Sequence, residues 1–158
     1  MPGLSYLAFA AGYRRVSLVL LENGKLATWQ TSCKAARSPE DAALFAKDFI
    51  HLLSPHVVVM EDMASGTRKG ATAQALLGAI REKADQSNAQ VVALKREKLF
   101  RNRQAEADYL VKHYPDLADK VPRRRYFDRE PHHSVLFEAL ALGDQALRGS
   151  ALLLASKM

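Results

Sequence analysis

Four apolar residues, Val57-Val58-Val59-Met60, run directly into two adjacent carboxylates, Glu61 and Asp62. Such a run is short, and three of its residues are β-branched. It reads as a strand buried on both faces, of the kind found inside an α/β sheet. The acids then fall at the strand's C-terminal end, where open α/β sheets hold their ligands. A polar, basic, glycine-containing segment follows from Ala64 to Gly70. The plain alternative is a strand that leaves the core through two solvated acids, and this stretch alone leaves both readings open.

The rest of the chain places this strand in an order. Ser5 to Phe9 is mostly apolar, Gly12-Tyr13 breaks the run, and Val16 to Leu21 resumes it. Asn23-Gly24 then predicts a tight hairpin, because both central residues of such a turn must tolerate positive φ. Leu26 to Thr31 alternates beyond it, so these three segments read as an antiparallel meander. Ser38-Pro39-Glu40-Asp41 has the composition of a helix start. Ala43, Leu44, Ala46, Phe49, Ile50 and Leu53 supply its expected apolar face, and Ser54-Pro55 ends it. Further helices are expected over Thr72–Ala84, Gln104 to about His113, and His133 to about Leu147, with a short strand over Gln90–Leu94. Pro131 marks the entry to the last helix and Gly149 its exit. The order β-β-β-α-β-α-β-α-α predicts an α/β fold: a five-stranded mixed sheet flanked by helices on both faces. One domain over 1–150 is expected, with 151–158 as a C-terminal tail in which Ala151 to Ala155 reads as a last helical turn or a loose end.

Charge narrows the partners. The chain carries 23 Lys and Arg against 17 Asp and Glu, a net +6 that favours polyanions, nucleic acid first. Two segments concentrate it, Lys95 to Arg103 and Arg123-Arg124-Arg125, the latter beside Tyr126 and Phe127. Cys33 is the only cysteine, which excludes an intrachain disulfide and a cysteine zinc site. The N-terminus lacks the pattern of a signal peptide, and the apolar runs are too short for a bilayer span. A cytoplasmic protein without membrane contact is the expectation.

The order and several segments resemble the ribonuclease H-like superfamily, and within it the RuvC-type Holliday-junction endonucleases. Tyr6 to Gly12 is similar to that family's first strand and its turn. Val57 to Glu61 resembles the strand ending in the catalytic Glu. Lys69 to Ala75 resembles the glycine- and alanine-rich start of the next helix, and Phe137 to Leu142 the Asp-Ala-Leu-Ala motif of the last one. The resemblance implies a nuclease that hydrolyses phosphodiesters in structured or branched DNA with Mg²⁺ or Mn²⁺. Such chemistry needs several carboxylates, because hard divalent ions prefer carboxylate oxygens. It implies Glu61 and Glu138 as catalytic and metal-binding residues, with Asp62 or His133 as further candidate ligands. It also implies a homodimer, to which the apolar face of the Thr72–Ala84 helix is a candidate contributor.

The chain departs from the pattern at the first acid, where Ala10 stands. Alanine cannot ligate a metal, so an inactive form is expected, either a lineage that lost catalysis or an enzyme disabled by an alanine substitution. Val135 occupies the position one turn before Glu138 where the family often has a second acid or a His. A non-catalytic nucleic-acid-binding module on the same fold is the alternative. In either case Arg68, Lys69, Lys95, Arg96, Lys98, Arg101, Arg103, Arg123, Arg124 and Arg125 are candidates for holding a phosphate backbone. Asp144, six residues past Glu138, is expected to be solvent-exposed.

Overall fold

The structure, a computed structural model, describes residues 4–12, 14–63, 70–96, 103–120 and 134–156. Five strands form one sheet: β1 (Ser5–Gly12), β2 (Arg15–Glu22), β3 (Lys25–Ser32), β4 (Val57–Glu61) and β5 (Gln90–Leu94), in the spatial order β3-β2-β1-β4-β5. The first three pair antiparallel, while β4 joins β1 and β5 joins β4 in parallel. This is the mixed sheet expected from the element order. The β2–β3 turn has φ of 54° at Asn23 and 77° at Gly24, the double positive φ that Asn-Gly tolerates.

Strand alternation divides the core in two. Leu7, Phe9, Leu18, Leu20, Val58 and Met60 face α1 (Pro39–Leu53) and α2 (Ala71–Asp85). Tyr6, Ala8, Ala10, Val19, Leu21, Val57 and Val59 face the other side. That side is covered by α3 (Arg103–His113), a 3₁₀ turn (Pro115–Lys120) and α4 (Ser134–Ser156). Because both faces are covered, β1 and β4 need apolar residues at successive positions, which is the pattern of Val57 to Met60.

Helix α1 begins as its sequence predicts. Ser38 Oγ accepts a hydrogen bond from the Asp41 amide at 3.1 Å, Pro39 sits in the first turn, and Ser54 ends the helix in a left-handed conformation. Its core-facing stripe differs from the expected face, gaining Ala42 and Phe45 and losing Leu44. Ala42, Ala46 and Ile50 are buried and Leu44 is 56% exposed, because spacing by four carries the stripe through 42 rather than 44. In α2 the buried residues are Leu76, Leu77, Ile80 and Ala84, and Ala75 is exposed. This face packs into the chain's own core beside α1, so it is not available as the dimer contact considered from sequence.

Two corrections concern α4. It passes through Gly149 to Ser156, whereas the sequence expectation ended it near Leu147. A lone glycine weakens a helix by about 1 kcal/mol but does not stop one followed by Ala151-Leu152-Leu153-Leu154-Ala155. Asp144 is buried rather than exposed. The Tyr114 hydroxyl donates to its Oδ1 at 2.8 Å, and Arg148 Nε donates to its Oδ2 at 2.9 Å. The sequence stripe of Leu136, Ala139, Leu140, Gly143 and Leu147 leaves that side of α4 open. In the fold, α3 and the 3₁₀ turn pack on this side of the sheet, and Tyr114 between them reaches Asp144.

Helix α4 lies close on the sheet at Gly143. A Cβ there would sit 3.1 Å from Leu21 Cδ1 and 3.5 Å from Ala8 Cβ. The far end of the β1–β4 pair carries a small polar cluster. The Ser5 amide donates to His56 Nδ1 at 3.0 Å, and the His56 amide donates to Ser5 Oγ at 3.0 Å.

The Gly143 contact sets a size limit. Gly143→Ala gains roughly 0.5–1 kcal/mol of helix preference, which offsets the displacement of the flexible Leu21 tip, so it should unfold in urea within about 1 kcal/mol of wild type. Gly143→Val should lose about 1–3 kcal/mol, because a branched side chain has no room above Ala8.

Candidate functional site

The strand registers define a row across the C-terminal ends of β1 and β4. Thr31 on β3 pairs with Ser17 on β2, and Ser17 pairs with Ala10 on β1. In the parallel pair, Tyr6, Leu7 and Ala8 stand beside Val57, Val58 and Val59. The same offset, carried two residues on, sets Ala10 beside Glu61, which itself pairs with Leu94 of β5. The row therefore reads Thr31, Ser17, Ala10, Glu61, Leu94. Since side chains alternate, Glu61 shares a face with Val57 and Val59, and Ser17 with Val19 and Leu21. That is the face covered by α4.

The direction of α4 sets the height of Glu138 relative to this row. Gly143 lies against Ala8, and Leu147 reaches Gly24 at the opposite end of the sheet. The helix therefore runs against β1. Glu138 precedes Gly143 by five residues, about 7.5 Å of helix. Ala10 follows Ala8 by two residues, about 6.6 Å of strand. The two distances match, so along the strand direction Glu138 stands at the height of Ala10 and Glu61, its side chain turned about 140° around the helix from Gly143. It is half-buried between the buried Phe137 and Ala139.

Electrostatically the row is lopsided. Glu61 Oε2 is shut off from solvent without a hydrogen bond among the described residues, although the residue is engaged in other interactions. Beside it the methyl of Ala10 is 1% exposed and offers no ligand. Among the described residues, no group of three or more His, Cys, Asp or Glu is placed to hold a metal ion. The described donor set therefore does not fit the divalent metal that the resemblance implies, and the misfit is at Ala10.

Other sequence candidates fall around this centre. Asp62 is half-buried just past β4, and its amide donates to the Leu94 carbonyl at 2.7 Å. Lys95 is exposed at the end of β5, and its carbonyl accepts from Gln145 Nε2 of α4 at 2.8 Å. Arg96 forms an ion pair of 2.6 Å with Glu106 in the first turn of α3, so a phosphate would compete with that carboxylate. Arg103 opens α3. Arg68, Lys69, Lys98, Arg101, Arg123, Arg124, Arg125, His132 and His133 lie outside the described residues. A cleft of about 650 Å³ lies at the opposite ends of the strands, lined by Lys47, His51, Lys83 and Asn88 among others. Two helices end there, and His51 and Lys83 offset the negative ends of their dipoles.

Three further residues carry little signal in the sequence. Ser17 and Thr31 join hydroxyls at 2.8 Å within the row. The available signal was a serine in an otherwise apolar strand, Val16-Ser17-Leu18-Val19. The third is Tyr114, whose bond to Asp144 ties α4 to the end of α3. Burial, and then the hydrogen bond from its hydroxyl to the Asp144 carboxylate, push the Tyr114 phenol well above its usual range.

No protein-family model matches the chain, and no curated protein sequence matches it. Solved structures do. Thermus thermophilus RuvC matches with a TM-score of 0.63 at 13% identity, over 89% of this chain and 91% of RuvC. The T. thermophilus RuvC complex with a Holliday junction substrate matches with a TM-score of 0.62 at 15% identity, over 89% and 90%. Fowlpox virus resolvase, in complex with substrate Holliday junction DNA, matches with a TM-score of 0.61 at 15% identity, over 92% and 98%. The class of fold is thus the ribonuclease H-like α/β sheet. More narrowly, the chain shares its fold with RuvC and the poxvirus resolvase, over nearly the whole length of each.

Two predictions follow from the site's chemistry. Ala10→Asp buries a second carboxylate beside Glu61 and should cost roughly 3 kcal/mol or more in EDTA. Millimolar Mg²⁺ or Mn²⁺ should restore much of that loss and leave the wild-type melting temperature nearly unmoved, as read by thermal melts. A raised phenol pKa stabilises the fold at pH values below the ordinary tyrosine value of about 10, and that contribution is lost as pH rises beyond it. Tyr114→Phe should therefore lower neutral-pH stability by about 1–3 kcal/mol and flatten the decline above pH 10 in urea titrations.

Proposed function

We propose that this protein binds branched DNA in the manner of a RuvC-like nuclease, and that it does not cleave DNA in its present form. The observation that carries the reading is the row of Ala10 beside Glu61, with Glu138 of α4 brought level with both. On this reading a carboxylate site would draw Glu61 from β4 and Glu138 from α4, with the methyl of Ala10 where a β1 carboxylate would stand. The fold likeness to RuvC and the fowlpox resolvase, both described with Holliday junctions, supports the substrate class. The net charge of +6 supports attraction to a phosphate backbone.

In an active relative of this lineage, Mg²⁺ or Mn²⁺ would supply charge neutralisation and an activated water. Here Glu61 and Glu138 meet a bound phosphate without that compensation, so they oppose binding at the centre. The affinity must come from basic residues around it, such as Lys95. A four-way junction has two-fold symmetry, which favours a homodimer as the binding unit. Such a protein would act in the cytoplasm; among the described residues, no helix is long and apolar enough to cross a membrane.

The test compares four-way junction, duplex and single-stranded DNA in gel-shift and cleavage assays. Wild type should prefer the junction, lose affinity steeply with salt, and leave the DNA intact with either metal. Ala10→Asp, alone or with Glu138→Asp, should gain metal-dependent cleavage. Absence of cleavage by both variants would favour the alternative of a non-catalytic nucleic-acid-binding module. Equal affinity for all three DNAs would overturn the branched-substrate reading.

A further inference from the structure

Ser17 is fully buried, and among the described residues its hydrogen-bond partner is Thr31. Either oxygen could be the donor by distance alone. Burial decides between them. If Thr31 donated, the Ser17 hydrogen would be left in the core without an acceptor, which costs the full desolvation of that group. If Ser17 donates, its hydrogen is satisfied and the Thr31 hydrogen is released toward solvent. Thr31 is exposed, so it can use that hydrogen. Accepting from Ser17 also polarises the Thr31 hydroxyl and makes it a stronger donor.

Position gives this donor a target. Thr31 lies in the same row and on the same sheet face as Glu61, three strand spacings away, about 14 Å. The basic residues at the end of β5 lie on the opposite side of Glu61. A nucleic-acid strand held over the acidic centre can therefore reach Thr31 on the β2–β3 side, where Ala10, Ser17 and Thr31 present no like charge to repel it.

We propose that Thr31 is a nucleic-acid contact residue whose hydroxyl, aimed by Ser17 beneath it, donates a hydrogen bond to a phosphodiester oxygen of a DNA strand crossing the β1–β3 end of the sheet. Ser17 is a positioning residue acting through Thr31. The inference rests on the DNA-binding function proposed above.

The test is junction binding by fluorescence anisotropy with wild type, Thr31→Val, Thr31→Ser, Ser17→Ala and the Ser17→Ala/Thr31→Val double variant. Thr31→Val should raise the Kd roughly 3- to 10-fold, the effect of one hydrogen bond, while Thr31→Ser stays within about twofold of wild type. Ser17→Ala should weaken binding, and the double variant should be no worse than Thr31→Val alone, because the two act as a unit. The slope of affinity against salt should not change, since no ionic contact is removed. Methylphosphonate replacement of single phosphates should identify a position that weakens wild type and not Thr31→Val. Wild-type affinity in Thr31→Val, additive effects in the double variant, or no such phosphate position would each overturn the inference while leaving junction binding intact. Failure of wild type to bind any DNA would overturn both.

Discussion

The parallel pairing of β1 with β4 is the contact on which the rest of the structure depends. It joins the N-terminal meander to the alternating half of the chain, since β4 is held by β1 on one side and β5 on the other. Its offset decides which residues meet at the C-terminal ends of both strands, and so puts Ala10 beside Glu61. Because each strand carries apolar residues at successive positions, both faces must be covered. The coverings are α1 and α2 on one side and α3 and α4 on the other. Helix α4 reaches its depth because Gly143 and Ala8 leave room for it, and it runs against β1, which sets Glu138 at the height of Ala10.

Most of this architecture can be read from the residues. Periodicity and turn chemistry place all five strands, the Asn23-Gly24 turn and the Ser38 cap. The errors share a cause. Spacing along a single helix assigns Leu44 and Asp144 to faces, whereas their exposure depends on which neighbour lies across from them. Asp144 is the plainest case, because the Tyr114 hydroxyl on one oxygen and the Arg148 guanidinium on the other make burial of a carboxylate tolerable. The end of α4 was placed at Gly149 by a local rule that the following leucines and alanines outweigh.

The candidate site was legible in a different way. Glu61 and Glu138 could be proposed from motif order, yet neither residue reveals its partner. The register supplies a neighbour for Glu61, and that neighbour is the buried methyl of Ala10. Ser17 escaped notice because a single serine in an apolar strand has little meaning until its neighbours across the sheet are known. Several basic candidates cannot be weighed by position, since they lie outside the described residues. Arg96 shows that a basic residue in the right loop can already be committed to an acid of its own chain.

The cluster of Ser5 and His56 has a consequence for this geometry. A slip of one residue between β1 and β4 would turn apolar side chains to the wrong face and is forbidden by the core. A slip of two would keep every face correct and still separate Ala10 from Glu61. What discriminates against it is the far end of the seam, where Ser5 and His56 exchange hydrogen bonds through backbone and side chain that a shifted partner could not reproduce. The alignment of Ala10 with Glu61 is thus held from the opposite ends of the strands, by a serine and a histidine that touch neither residue.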